Sequence, residues 1–349
     1  MTIVPKKQMT RRDFISQGGA LALALSAGAA SGPEATAGGS SRPAPMPGPG
    51  SEAAKSRVIL VQAADRTDGV KRCLELFKVN PIAGKNVLVK PNFNTSDETP
   101  GSTHNDTLRA LLDWARDRGA KSLAIGDRSG PEPTDQVLQR KKIPELAALY
   151  EAKVLNFDAL GADGYVKVTP PGSHWKDGFL AAKPVVETEY VISTCCLKTH
   201  QFGGIFSMSL KNSVGIVPRQ DYGYMRELHS SPDQRKMIAE INFAYKPALV
   251  VLDGLEAFVD AGPMTGPRKT ANVFLAGTDR AAIDAVGLAV LMHLGSNKAI
   301  MLTPIFAQEQ IARAAELGLG AASGADIVIE TGDKASEAYA EKIRGFLNY

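Results

Sequence analysis

Short apolar runs alternate with segments of helical periodicity along most of this chain. Residues 57–63 read as a strand, and Val70, Cys73, Leu74 and Phe77 then recur at helical spacing within 68–79. Val87-Leu88-Val89 reads as a second strand. Leu108, Leu111, Leu112 and Ala115 share one face of a helix over 105–118, with Asn105 or Asp106 as its cap and Gly119 as its stop. Residues 122–126, 154–157, 190–193, 248–252, 271–276 and 326–330 predict further strands. Residues 232–243, 281–294, 304–317 and 335–347 predict further helices. Strands and helices that alternate in this way predict an α/β fold, with a largely parallel sheet and helices on both faces. The length suits a single large domain over 57–349, with two interleaved lobes as the alternative.

The polar residues form a second pattern. Lys90, Asn92 and Asn94 follow the strand at 87–89, and Asp127 follows the strand at 122–126. Lys198 and His200 follow the strand at 190–193, and Asp253 and Glu256 follow the strand at 248–252. In an open parallel sheet the carboxyl ends of the strands share one edge, and ligands bind in the crevice there. An aspartate after a strand is by itself an ordinary turn or helix cap. Repetition across four strands is what points to a site. The Gly-rich stretches at 201–204 and 262–267 supply loops whose backbone N–H groups can approach an anion closely. There is no G-x-x-x-x-G-K-[ST], no credible G-x-G-x-x-G and no G-x-S-x-G. A standard P-loop, a dinucleotide fingerprint and a hydrolase nucleophile elbow are thereby excluded.

The N-terminus has a different character. Thr10-Arg11-Arg12-Asp13-Phe14-Ile15 stands behind Lys6 and Lys7 and before a weakly apolar stretch at 18–30. This pattern reads as a twin-arginine signal peptide over 1–37, followed by a Pro/Gly/Ser-rich linker over 38–56. The expectation is a chain recognised by the twin-arginine translocase and exported to the periplasm or another extracytoplasmic space. A formal charge of +3 carries no nucleic-acid footprint. No mature segment has the apolar run of a stable membrane span. Cys73, Cys195 and Cys196 include no C-x-x-C, so zinc ribbons and iron–sulfur clusters lack their usual ligands. The adjacent Cys195 and Cys196 read as two small residues at a strand end, with a vicinal disulfide or a soft-metal contact as alternatives.

Several segments occur together in a telling order: Val87-Leu88-Val89-Lys90-Pro91-Asn92, Gly126-Asp127, Leu197-Lys198-Thr199-His200, Ser209-Leu210-Lys211-Asn212-Ser213-Val214-Gly215 and Leu252-Asp253-Gly254. Gly262-Pro263 with Gly266, and Ala276-Gly277-Thr278-Asp279 with Asp284, continue the series. The chain resembles the domain-of-unknown-function family 362 over about residues 58 to 330. Some relatives carry an appended ferredoxin-like cysteine module, which this chain lacks. Where relatives often have Pro-Lys ahead of the Leu-Lys-Thr-His segment, this chain has Cys195 and Cys196. The resemblance implies no settled activity.

Chemistry narrows the candidates. Lys90, Lys198 and Lys211, with Asn92 and Asn212 as amide partners, can bind a small anionic substrate. A solvated lysine is the ordinary case, but Lys198 and Lys211 lie in apolar, Gly-rich surroundings. His200 with Asp127 or Asp253 can move protons, since an unperturbed imidazole titrates near 6.5. His104, His200, Asp253 and Glu256 are an alternative ligand set for a divalent metal, without any local spacing to support it. The expectations are therefore an enzyme acting on a small anion, or a non-catalytic protein that carries a metal or an anion. A redox partner is a weaker third. Asp279 is expected to cap the helix that follows it, and Asp284 to need a buried partner.

Overall fold

A computed structural model describes residues 55–348 apart from 79–80 and 220–221. The expected signal peptide over 1–37 and residues 38–54 of the expected linker lie outside the described residues. Residues 55–349 form one compact unit.

The main sheet holds nine strands. In chain order they are β1 (Ser56–Gln62), β2 (Asn86–Lys90), β3 (Ser122–Asp127), β4 (Lys153–Asn156), β7 (Tyr190–His200), β8 (Ile205–Phe206), β9 (Leu249–Phe258), β10 (Arg268–Gly277) and β11 (Ile327–Glu330). The remaining pair, β5 (Tyr165–Val168) and β6 (Phe179–Ala182), makes a separate antiparallel hairpin. The order across the main sheet is β11-β1-β10-β9-β7-β2-β3-β4, with the two-residue β8 on β7. Along that path β10 alone runs against its neighbours. The central strands are buried on both faces, which is why β2 and β7 read as nearly unbroken apolar runs.

Helices cover both faces. On one side Ile59, Val89, Ile125 and Val251 pack under the helices Arg66–Phe77 and Asn105–Asp117. On the other side Leu60, Cys195, Leu252 and Leu275 pack under Arg280–Leu294 and Lys334–Leu347. The Arg280–Leu294 helix is buried almost all round, so its side chains show little amphipathic contrast. After β2 the chain steps outward through β3 and β4, then returns to place β7 on the other flank of β2. That reversal opens a crevice at the carboxyl ends of β2 and β7, the place where open α/β sheets bind ligands.

Two strands run further than their apolar cores suggest. β7 continues to His200 and β9 to Phe258, so Lys198, His200, Asp253 and Glu256 lie within strands and not in the loops after them. The polar residues are tolerated because each of the buried ones finds partners from other elements. Cys195 and Cys196 consequently sit mid-strand, free and buried. The cap of the Asn105–Asp117 helix is His104, whose side chain accepts the Asp106 N–H, and not Asn105 or Asp106.

Candidate functional site

Three lysines reach the carboxyl edge of the sheet, and they differ in what their ammonium groups meet. Lys90 ends β2 and is fully buried. It donates to Asp127 Oδ1 at 2.7 Å, to Asn212 Oδ1 at 3.0 Å and to the Pro91 carbonyl at 3.1 Å. Three donors meet three acceptors, one of them a carboxylate. Asp127 uses its second oxygen to accept the Phe93 N–H at 2.7 Å. The Asn212 amide donates in turn to Ser193 Oγ and the Thr194 carbonyl. Gly215 closes over the pair: a Cβ there would lie 2.4 Å from Asp127 Oδ1 and 2.9 Å from Lys90 Nζ.

Lys198 is equally buried but has no carboxylate. Its ammonium donates to Asn92 Oδ1 at 2.7 Å, the Gly101 carbonyl at 2.6 Å and the Pro263 carbonyl at 3.2 Å. Neutral oxygens satisfy its geometry without cancelling its charge. Burial lowers its pKa to about 8.

Lys211 is the exception of the three. It is part-buried, and among the described residues its ammonium makes no hydrogen bond or ion pair. It lies in the one-turn helix Ser209–Asn212, which Asp284 holds from the long helix by accepting the Ser209 and Leu210 N–H groups at 2.7 and 2.9 Å. Asp284 thus finds its buried partners in backbone, and burial pushes its carboxyl up to about 7. Burial first, and then the charges of Lys198 and Arg128, lower Lys211 to about 7.

His200 lies beside Lys211. A single point at Gly204, where a Cβ would stand, is 2.9 Å from His200 Nδ1 and 3.1 Å from Lys211 Cε. His200 Nδ1 accepts the Gly204 N–H at 3.3 Å, which leaves the proton of the neutral ring on Nε2. Burial, Lys211, His229 and Lys198 hold this imidazole well below its ordinary range. His229 is lowered to about 3 by burial, Lys211 and Arg128. The Gly-rich loop that makes this arrangement is pinned from outside. The Gln234 amide Nε2 donates to His229 Nδ1 over 2.9 Å, and Gln234 packs on Gly203, where a Cβ would meet its Oε1 at 2.1 Å. Gly203 has φ +87°, so only glycine takes this position without strain. Gln310 donates to the Gly204 carbonyl at 2.7 Å. Arg128, one residue beyond Asp127, donates to the Ser129 and Val214 carbonyls, while its buried Nε has no partner. The basin is therefore the surroundings of Lys211: His200 beside it, and His229, Lys198 and Arg128 near enough for their charges to act on one another.

A concavity of about 490 Å³ opens on the same edge. Arg66, His104, Asn105, Lys141, Glu256 and Arg268 contribute to its walls. Behind it, the fully buried Asp253 accepts from Arg66 at 3.0 Å, from Thr107 Oγ1 at 2.7 Å and from the Leu255 N–H at 3.2 Å. Glu256 faces Arg268 at 3.7 Å.

The model of the family described as "Domain of unknown function (DUF362)" matches residues 87–289. The chain belongs to this family. The match covers β2 through most of the long helix, and so includes all three lysines, His200, Asp127 and Asp253. No curated protein matches the chain. Among solved structures it is similar to the lactate racemase apoprotein from Thermoanaerobacterium thermosaccharolyticum, at 14% identity and a TM-score of 0.40, covering 83% of this chain and 86% of that one. A likeness at that level speaks to neither activity nor cofactor.

In this DUF362 member the predicted residues separate into four groups. Lys90, Asp127 and Asn212 form one closed cluster, and Asn92 closes Lys198. Lys211 and His200 share the open basin. His104, Asp253 and Glu256 belong to the neighbouring concavity, with Asp253 engaged by Arg66. His200 makes no hydrogen bond to Asp127 or Asp253, whose oxygens are taken up elsewhere. Among the described residues no group of three His, Cys, Asp or Glu side chains gathers as a metal site. His229, Arg128 and Gln234 join the basin without a sequence signal. His229 follows a polar-aromatic loop, and Arg128 reads as an ordinary residue after a strand. His174, also without a sequence role, meets the buried Glu240 at 2.5 Å.

Proposed function

We propose that this DUF362 member binds a small anionic substrate in the basin of Lys211, His200 and His229, and acts on it with Lys211 and His200. The observation that carries the reading is the Lys211 ammonium: it is part-buried among other cations, yet among the described residues it has no hydrogen-bond acceptor. A folded chain does not hold such a charge without cost. A bound carboxylate or phosphate supplies the missing acceptor, and Lys198 and Arg128 add to the field that attracts it. Lys90 and Lys198 contribute as fixed charges, since their own donors are already used.

The test is titration calorimetry of the mature chain with oxalate and with inorganic phosphate near pH 6.5. Lys211→Ala should weaken the better ligand by at least about tenfold, the loss of one charge-assisted contact of ~1.5–3 kcal/mol. Equal affinity in wild type and variant would remove Lys211 from the site.

A second reading has its own support. Asp127 and Asp253, the carboxylates that could have served as bases, are both fully engaged. A protein that carries an anion without turning it over fits that arrangement. Release of an unchanged, stoichiometrically bound ligand distinguishes the carrier from the enzyme. We also propose export by the twin-arginine route. Arg11→Lys with Arg12→Lys should leave the protein in the cytoplasmic fraction, and unchanged export would refute the signal.

A further inference from the structure

We propose that Lys211 is an amine nucleophile that forms an imine with a small 2-oxo acid, a carboxylate with an adjacent aldehyde or ketone. The inference rests on the anion-binding reading of the basin and names its substrate class. Of the three lysines, Lys90 and Lys198 each donate to three oxygens, so neither can turn a lone pair toward a ligand. Lys211 donates to none among the described residues, and its side chain is not sealed from solvent. Asp284 fixes the turn that carries it, so the amine is held and does not roam. An amine must be unprotonated to attack. Burial and the neighbouring cations place Lys211 at about 7, so that roughly half the molecules have a neutral amine near pH 7.

The neighbours match the two ends of such a substrate. Its carboxylate is attracted by the charges of Lys198 and Arg128, which act on Lys211. Its carbonyl oxygen suits the Nε2–H of His200. That ring is neutral because its pKa is depressed, so it polarises the carbonyl by a hydrogen bond and does not surrender its proton. In the first step the Lys211 nitrogen lone pair forms the C–N bond, and the carbonyl π pair moves to oxygen. One of the two protons on the resulting ammonium passes to the alkoxide, giving a carbinolamine. The nitrogen lone pair then closes the C=N bond as the C–O bond breaks. The hydroxide leaves as water with the second nitrogen proton. No oxidant or reductant takes part.

The experiment uses the mature chain with glyoxylate and cyanoborohydride, followed by intact mass and peptide mapping. The expected result is one carboxymethyl addition on the peptide that carries Lys211. At pH 7 it should form at least about tenfold faster than on surface lysines, whose amines are almost wholly protonated. Its rate should rise with pH through an inflection near 7, whereas surface lysines should keep rising toward 10. Lys211→Arg should abolish the adduct while the slow trapping on surface lysines persists; if Lys211→Arg fails to fold, the wild-type map still decides the question. Oxalate binding without selective trapping would overturn the imine and leave the anion site standing. Neither binding nor trapping would overturn both.

Discussion

The cluster around Lys90 and the basin around Lys211 begin from the same ingredients and end in opposite states. Both place a lysine at the carboxyl edge of one sheet, and both draw on the Ser209–Asn212 turn. Asn212 faces Lys90, whereas Lys211, one residue earlier, faces the imidazoles. At Lys90 a buried carboxylate cancels the charge, and every donor has an acceptor. At Lys211 there is neither. A satisfied buried pair holds structure, and removing one partner strands the other. An unsatisfied, part-buried cation instead keeps its capacity to bind or to react.

If that contrast is right, substitutions should cost stability at Lys90 and chemistry at Lys211. The largest effect is expected from Lys90→Met, which leaves Asp127 charged and buried. The loss should be ~3–5 kcal/mol in urea unfolding, and Lys90→Met with Asp127→Leu should recover much of it. A loss below about 1 kcal/mol for the single variant would mean that the cluster is not structural.

Asp284→Ala should come next. It leaves the buried Ser209 and Leu210 N–H groups without an acceptor, at ~1–3 kcal/mol each, and frees the turn that carries Lys211. Stability should fall and anion affinity with it. A stability loss with unchanged affinity would show that the turn keeps its place without Asp284.

Gly215→Ala sharpens the comparison from the other side. Its Cβ would intrude on Asp127 and Lys90, and overpacking of that kind costs ~1–3 kcal/mol. Thermal unfolding should report the loss, while oxalate binding at Lys211 in the folded protein should be unchanged.

The smallest effect is the pH dependence of stability. The folded pKa of Lys211, about 7, lies below the ordinary 10.4, so between these values the unfolded chain binds more protons than the folded one. Stability from this group therefore rises with pH across that window, and its burial penalty is fully present below pH 7. Lys198, at about 8, adds to the same slope from pH 8 upward. Asp284 acts oppositely: its folded pKa of about 7 lies above the ordinary 3.9, so its contribution falls as pH rises from about 4 to 7. Lys211→Met should flatten the upper slope and leave the lower one. An unchanged slope above pH 7 would mean that Lys211 is charged and already paired in solution.

Hydrophobic periodicity by itself determined the α/β class, most of the elements and the convergence of polar groups on one sheet edge. The reason is local: a period of two or 3.6 decides which face of a segment must be buried. Leu108, Leu111, Leu112 and Ala115 fall on the buried face of their helix as that rule requires. The motifs at 197–200 and 209–215 meet in the fold, where His200 stands beside Lys211. Tertiary structure alone decided which polar residue meets which. Asp127 lies 37 residues from Lys90, Asn92 lies 106 from Lys198, and Arg66 lies 187 from Asp253. Such pairings follow from strand order and from the reversal between β2 and β7, which no local pattern encodes. The same topology brought His229 and Arg128 to Lys211 and kept Asp127 and Asp253 from His200. A side chain's chemistry is written in the sequence, but its protonation and availability depend on burial and partners that only the folded chain supplies.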